Sequence, residues 1–272
     1  MFEGELILKL SLSIAIASVM ALGLVTAGLE IRWLRRRRKL NRSARREMLR
    51  SLSPLPPNAL IAILMAPVWA TIYSGANALT TLQVDVTAIT LLLAFLAADF
   101  SYYWEHRCAH RLKPLWQLYH AIHHSSNAYS VATAYRVSFL THLLAPAFYL
   151  PWILLGFNPI VIVGFQLFAF HYQAWLHTEM IGSKQVLDSW LNTPANHRMH
   201  HSRASAHQDV NMGAVLMIWD RLFGTYRKPL QDVAYGIDNE TTPKTVLELY
   251  TKPWRQMITH QPCEFRAGEI VV

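Results

Sequence analysis

Cysteine is scarce: there are two in 272 residues, Cys108 and Cys263, and they form no C-x-x-C pattern. That excludes a disulfide framework, a thiolate-rich structural zinc site and an iron–sulfur cluster, and leaves packing as the expected job of Cys108. Charge is scarce as well. Only 15% of residues are charged against 53% hydrophobic, and the mean hydropathy is +0.19, the balance of a membrane protein rather than of a soluble domain. The chain has no G-x-G-x-x-G nucleotide fingerprint, no haem-attachment motif, no H-E-x-x-H, no internal repeat and no low-complexity stretch. No Ser/His/Asp or Cys/His arrangement for nucleophilic catalysis is evident either. The net charge of +8 is concentrated, since residues 32–50 hold ten Arg or Lys and one Glu. The remainder is close to neutral, so no extended basic face is left for nucleic acid.

Long apolar runs are what the chain does have. Residues 10–29 and 59–82 carry no charge, 86–104 carries only Asp99, and 137–178 is uncharged throughout. Each of the first three can cross about 30 Å of hydrocarbon as a helix. Gly156-Phe157-Asn158-Pro159 interrupts the last run near its middle, which predicts two helices joined by a tight turn and about five apolar helices in all. The basic block after the first run is a cytoplasmic determinant, placing the N-terminus outside. Glu3 and Glu5 stand where a signal peptide would be positive, so the first run is expected to be a retained span. Ser53-Pro54-Leu55-Pro56-Pro57 ends the basic loop. After about Ser183 the chain becomes polar, as a cytoplasmic cap would, and a tail after Tyr226 is expected to wrap the surface, with a short helix around 244–250.

Eight of the thirteen histidines fall into three clusters: His106 and His110; His120, His123 and His124; His197, His200 and His201. Spacings of three or four return to one helical face, so each cluster can aim two or three imidazoles at one point. Eight imidazoles exceed the needs of one ion, and a nitrogen-rich site for two metals is expected. Counting spans supports this. With the basic loop inside, the second and third runs go out and return, the last two form an out-and-back hairpin, and all three clusters emerge on the cytoplasmic side.

Asp99, Tyr103, His106 and His110 lie at i, i+4, i+7 and i+11, one stripe on a helix. Asp99 is therefore a candidate to orient a ligating imidazole through its second nitrogen, with an interhelical hydrogen bond as the alternative. Tyr103 is a further candidate catalytic residue. His177, at the cytoplasmic end of the fifth run, is a candidate ninth ligand. His142 and His171 suit buried hydrogen-bonding roles, and His207 and His260 a solvated one. Tyr102, Tyr103, Trp104, Trp116 and Tyr119 fit an aromatic belt at headgroup level. Trp219 to Tyr226 reads as an amphipathic helix end capped by Gly224.

The stretches D-F-S-Y-Y-W-E-H-R-C-A-H, L-W-Q-L-Y-H-A-I-H-H-S, T-P-A-N-H-R-M-H-H-S and W-D-R-L-F-G-T-Y together resemble the fatty-acid hydroxylase and sterol desaturase superfamily of integral-membrane di-iron enzymes. The resemblance covers residues 99–226 and divides the chain into N-terminal membrane helices with the basic loop (1–98), a catalytic region (99–226) and a cytoplasmic tail (227–272). Within the superfamily, H-H-S-S-N-A-Y-S-V-A-T-A-Y-R-V-S resembles the alkylglycerol monooxygenase branch. Where the family often has a tyrosine in D-x-N-Y-G, this chain has Met212. The resemblance implies an all-α membrane fold of four or more helices with a cytoplasmic cap over two iron ions.

Unactivated C–H bonds resist acid–base and nucleophilic chemistry, so a metal and O₂ are needed, and imidazole ligands suit iron. The expectation is an oxidoreductase, a di-iron monooxygenase that hydroxylates a long-chain lipid. Ether lipids rank first as substrates, then fatty acyl lipids, then sterol-like compounds, and desaturation is the alternative outcome. Electrons must come from outside, from a ferredoxin, a cytochrome-type protein or a reduced pterin. The rivals from other classes are a zinc-dependent membrane hydrolase, which would normally keep a carboxylate general base, and a histidine-rich metal carrier, which would put its ligands within the spans.

Overall fold

The computed structural model describes residues 2–230, 233–237, 243 and 245–258; His260 and Cys263 lie outside them. Among these residues the fold is helical, with no strand and only two isolated bridges, Leu191 to Leu216 and Ser202 to Tyr235. The main elements are α1 (Phe2–Arg36), α2 (Arg42–Leu52), α3 (Leu55–Leu79), α4 (Ala88–Arg111), α5 (Ala121–His124), α6 (Pro159–Leu176) and α7 (Pro194–His200).

Among the described residues three helical stretches are long and apolar enough to cross a membrane, namely Leu10–Arg36, Arg42–Leu79 and Pro159–Leu176. Their outward faces are apolar: Leu24, Ile63 and Leu79 are 70%, 70% and 83% exposed. Such faces are stable only where lipid, not water, surrounds them. The basic block is not a simple loop. Its first arginines extend α1, and after a turn Asn41 caps α2 by accepting from the Ala44 amide at 2.9 Å. Pro56 and Pro57 sit in the first turn of α3, where their missing N–H groups cost nothing.

The long apolar run turns where expected. Gly156 adopts φ +92°, and a β-carbon there would lie 2.6 Å from the Leu82 carbonyl oxygen; Asn158 caps α6, and Pro159 opens it. The first arm of this hairpin is, however, not one helix. It is broken into Thr141–Leu144, a 3₁₀ turn Ala145–Tyr149, and Leu150–Leu154, because Pro146 and Pro151 each remove an amide donor. Side chains of the neighbouring helices take up carbonyls along this broken arm. Trp69 Nε1 donates to His142 O, Tyr73 Oη to Pro146 O and Ser101 Oγ to Phe148 O. The same region forms a core of Tyr73, Ala76, Ala94, Ala98, Tyr149, Ile153, Val161 and Ile162.

Two tethers hold the part of the chain that carries the histidines. Arg136, fully buried, donates to Ile122 O, Ser125 Oγ and Glu47 Oε1, locking α2 against the end of α5. Glu30 of α1 accepts from Thr178 Oγ1 at 2.7 Å and from the Val131 amide at 2.9 Å, bringing the ends of α1 and α6 together. The tail helix runs Val246–Ile258, further than expected, and Tyr250 packs against Phe139.

Candidate metal centre

All nine histidines singled out from the sequence converge, in two groups. His106, His110, His120, His124 and His200 form one, and His123, His177, His197 and His201 the other; in each, one ring nitrogen per residue lies within 4.8 Å of the others. The three sequence clusters do not each serve one point. Residues i and i+4 of each H-x-x-H-H stay together, as His120 with His124 and His197 with His201, while the intervening His123 and His200 cross to the opposite group. On a helix i+3 and i+4 diverge by about 100°, so two motifs packed face to face exchange their middle imidazoles. His120 closes a π-helical turn, Trp116–His120, which leads directly into α5; such turns re-aim side chains within helical segments.

Backbone carbonyls set the state of several rings. His106 Nδ1 donates to Met212 O at 2.9 Å, His177 Nδ1 to Gln173 O at 2.7 Å and His200 Nδ1 to Val210 O at 2.8 Å. A carbonyl only accepts, so each Nδ1 carries the proton and each Nε2 presents a bare lone pair inward. His177 Nε2 is 3.1 Å from His197 Nε2 and 3.2 Å from both His123 Nε2 and His201 Nε2. One lone pair can satisfy few of these neighbours. In the other group His106 Nε2 and His124 Nε2 lie 3.1 and 3.2 Å from His120 Nε2, and the buried Nε2 atoms of His110 and His200 have no partner among the described residues. Two nitrogens each about 2.1 Å from one ion are separated by about 3.0–3.4 Å, so the spacing and the orphaned nitrogens both fit cations held by imidazole. Burial holds His120, His123, His124, His197, His200 and His201 well below the ordinary imidazole range, leaving them neutral as ligation requires.

Asp99 does not orient an imidazole directly. Its oxygens accept from the amides of Val215 and Leu216 and from Trp219 Nε1, because that loop packs over the stripe at its level. Tyr103 also faces away from the histidines: its hydroxyl bonds to Thr225 and accepts from Arg107, and its ring stacks on Phe223. The aromatic-belt reading fails for Tyr103 and Tyr119, which are buried, and for Trp116, which packs on His110, His120 and His124. His142 and His171 stay outside both groups, and His207 bonds Ser202.

Sequence reasoning marked segment 209–213 only for Met212 and missed its part in holding the histidines. Asp209, at φ +57°, approaches His110 Nδ1 at 3.5 Å and binds Arg111 at 2.8 Å; Val210 and Met212 supply the carbonyls for His200 and His106. Asp220 holds the segment by accepting from the amides of Met212 and Gly213, a role not foreseen for Trp219 to Tyr226. The available signal was Asp209 and Asn211 in one short stretch, since both residue types tolerate the left-handed backbone they adopt here.

Residues 91–225 match the fatty acid hydroxylase family model, and the chain carries a fatty acid hydroxylase domain there. The alkylglycerol monooxygenase of Danio rerio is 41% identical over 165 residues, 61% of this chain and 36% of that protein. The alkylglycerol monooxygenase of Homo sapiens is 42% identical over 144 residues, 53% of this chain and 32% of its own length. The ornithine lipid hydroxylase OlsE of Rhizobium tropici is 33% identical over 153 residues, 52% of this chain and 43% of its length. The chain thus spans about a third of the length of the alkylglycerol monooxygenases it matches. No solved structure matches it significantly.

Proposed function

We propose that this chain is a membrane-embedded, O₂-dependent oxidoreductase that hydroxylates a C–H bond of a long-chain lipid, with an ether lipid as the first candidate. The observation that carries this reading is the pair of buried all-imidazole groups, five and four histidines, beside apolar helices. Two iron ions, when bound there, would supply the electron transfer to O₂ that attack on an unactivated C–H bond needs. Around them the protein holds the rings. The Met212, Val210 and Gln173 carbonyls keep the outer protons of His106, His200 and His177 in place, and Asp209 faces His110. Eight of the nine side chains are buried and His120 is half-buried, which limits entry of water. Hydroxylation incorporates one oxygen atom and releases the other as water, which takes two electrons and two protons. A separate donor would supply the electrons, whether a ferredoxin, a cytochrome-type protein or a reduced pterin. The names of the alkylglycerol monooxygenases and of the ornithine lipid hydroxylase support a lipid substrate.

The proposed topology has the N-terminus outside and the basic residues 32–50 and the histidine groups on the cytoplasmic side, with α1, α3, α4, the broken segment 141–154 and α6 within the bilayer. The meeting of Glu30 with Thr178 supports a shared side for the ends of α1 and α6. Reporter fusions at Asn41 and Gly182 should both report cytoplasm; opposite sides would refute it. For the activity, the measurements are metal content and oxygen-dependent change in the lipids of cells with and without the protein. Iron in both groups and a lipid gaining one oxygen are expected. One zinc per chain with no oxygen-dependent product would overturn the reading.

A further inference from the structure

Beside His106, the structure carries a buried carboxylate that the histidine groups do not use. Glu105 is 8% exposed, and the hydroxyl of Tyr119 donates to its Oε1 at 2.6 Å. No other hydrogen bond reaches Glu105 among the described residues. Tyr102 stands one turn before it on the same face of α4, and its hydroxyl makes no hydrogen bond among the described residues. The group adjoins the first histidine group: the Tyr102 ring is 5.7 Å from His106 and the Tyr119 ring 6.2 Å from His120.

A carboxylate buried for one bond to a tyrosine is a poor structural device. Burial penalises the charge, and an apolar pair of the same volume would pack as well or better. The arrangement makes sense if Oε2 has a partner that arrives from outside the chain. We propose that Glu105, braced by Tyr119 and flanked by Tyr102, accepts a hydrogen bond from a free hydroxyl of the lipid substrate and so selects lipids whose reacting carbon lies close to a hydroxyl-bearing headgroup. This rests on the lipid-oxygenase reading. A hydroxyl suits the site better than an ammonium because it donates to Glu105 while accepting from a tyrosine; an ammonium only donates and would leave the tyrosine hydrogens unmatched.

The test is binding to the full-length protein in detergent, measured by calorimetry both with and without loaded metal. The probes are a hexadecylglycerol ether, its dimethylated analogue and an aminated analogue. The protein should prefer the free hydroxyls over the methyl ethers by about 10- to 100-fold, as a site built to bond a hydroxyl rejects the analogue lacking it. Glu105→Leu should bring that ratio close to one while leaving the affinity for the methyl ether unchanged, which a general structural defect would not do. Tyr119→Phe, which frees the carboxylate without removing it, should lower the ratio as well and serves if Glu105→Leu fails to fold. A ratio unchanged in the folded variants, or tighter binding of the aminated probe, overturns the proposal. If the unaltered protein shows the Glu105-dependent preference yet oxidises no lipid, the hydroxyl site stands and the oxygenase reading falls.

Discussion

Replacing Gly213 with alanine tests how the histidines are held without touching any of them. A β-carbon at 213 would stand 2.4 Å from the Leu216 carbonyl oxygen and 2.9 Å from Asp220 Oδ2. Neither neighbour is free to yield: the Leu216 amide is held by Asp99, and Asp220 accepts from Met212, Gly213 and Thr225. An ordinary contact begins near 3.4 Å, so segment 209–213 must retreat by about 1 Å. That retreat would stretch the 2.9 Å bond from His106 to Met212 or the 2.8 Å bond from His200 to Val210 beyond hydrogen-bonding range. Overpacking of this kind costs about 1–3 kcal/mol. Losing the partner of a ligating imidazole costs about 10- to 100-fold in metal affinity. The four-histidine group should escape, because its carbonyl contact comes from Gln173 on α6. Metal content after dialysis against graded chelator should therefore show one ion leaving Gly213→Ala early and the other leaving as in the unaltered protein. Two ions held with unaltered affinity would refute the reasoning.

Three further outcomes are expected. His177→Ala should lose metal from the second group while His171→Ala, in the last turns of α6 just before it but outside both groups, should not; equal metal content in the two variants counts against the grouping. The metal-free protein should lose stability as pH falls from about 6.5, because the unfolded chain takes up protons there while burial keeps His197, His200 and His201 neutral to well below that value; a flat unfolding midpoint between about pH 7 and 5 would contradict this. Arg136→Met takes from Glu47 its buried partner while Arg50 and Ser126 still bond that carboxylate, so it should cost about 1–3 kcal/mol, part of it recovered by adding Glu47→Met. Thermal unfolding of the single and double variants checks this, and a double variant no more stable than the single one argues against the pairing.

Much of this protein is readable from the one-dimensional pattern because the relevant physics is local. Apolar length alone marks the three stretches able to cross a membrane, a turn signal marks the break at Gly156, and helical spacing joins His120 to His124 and His197 to His201. Even His177 announces itself by standing at the end of an apolar run close to a cluster. Tertiary packing decided what no spacing contains. His123 and His200 leave their own clusters because two helical motifs face one another, and the π-turn before α5 sets the angle at which they do so. Asp99, in line with the histidines along α4, turns to a loop 116 residues away in sequence because amides wait there to be bonded. Asp209, Val210 and Met212 reach the imidazoles only because Asp99 and Asp220 pin their loop and Gly213 lets it pass close. Which nitrogen of each ring carries the proton is likewise settled by carbonyls that folding delivers, since a hydrogen bond depends on position and direction in space, not on distance along the chain.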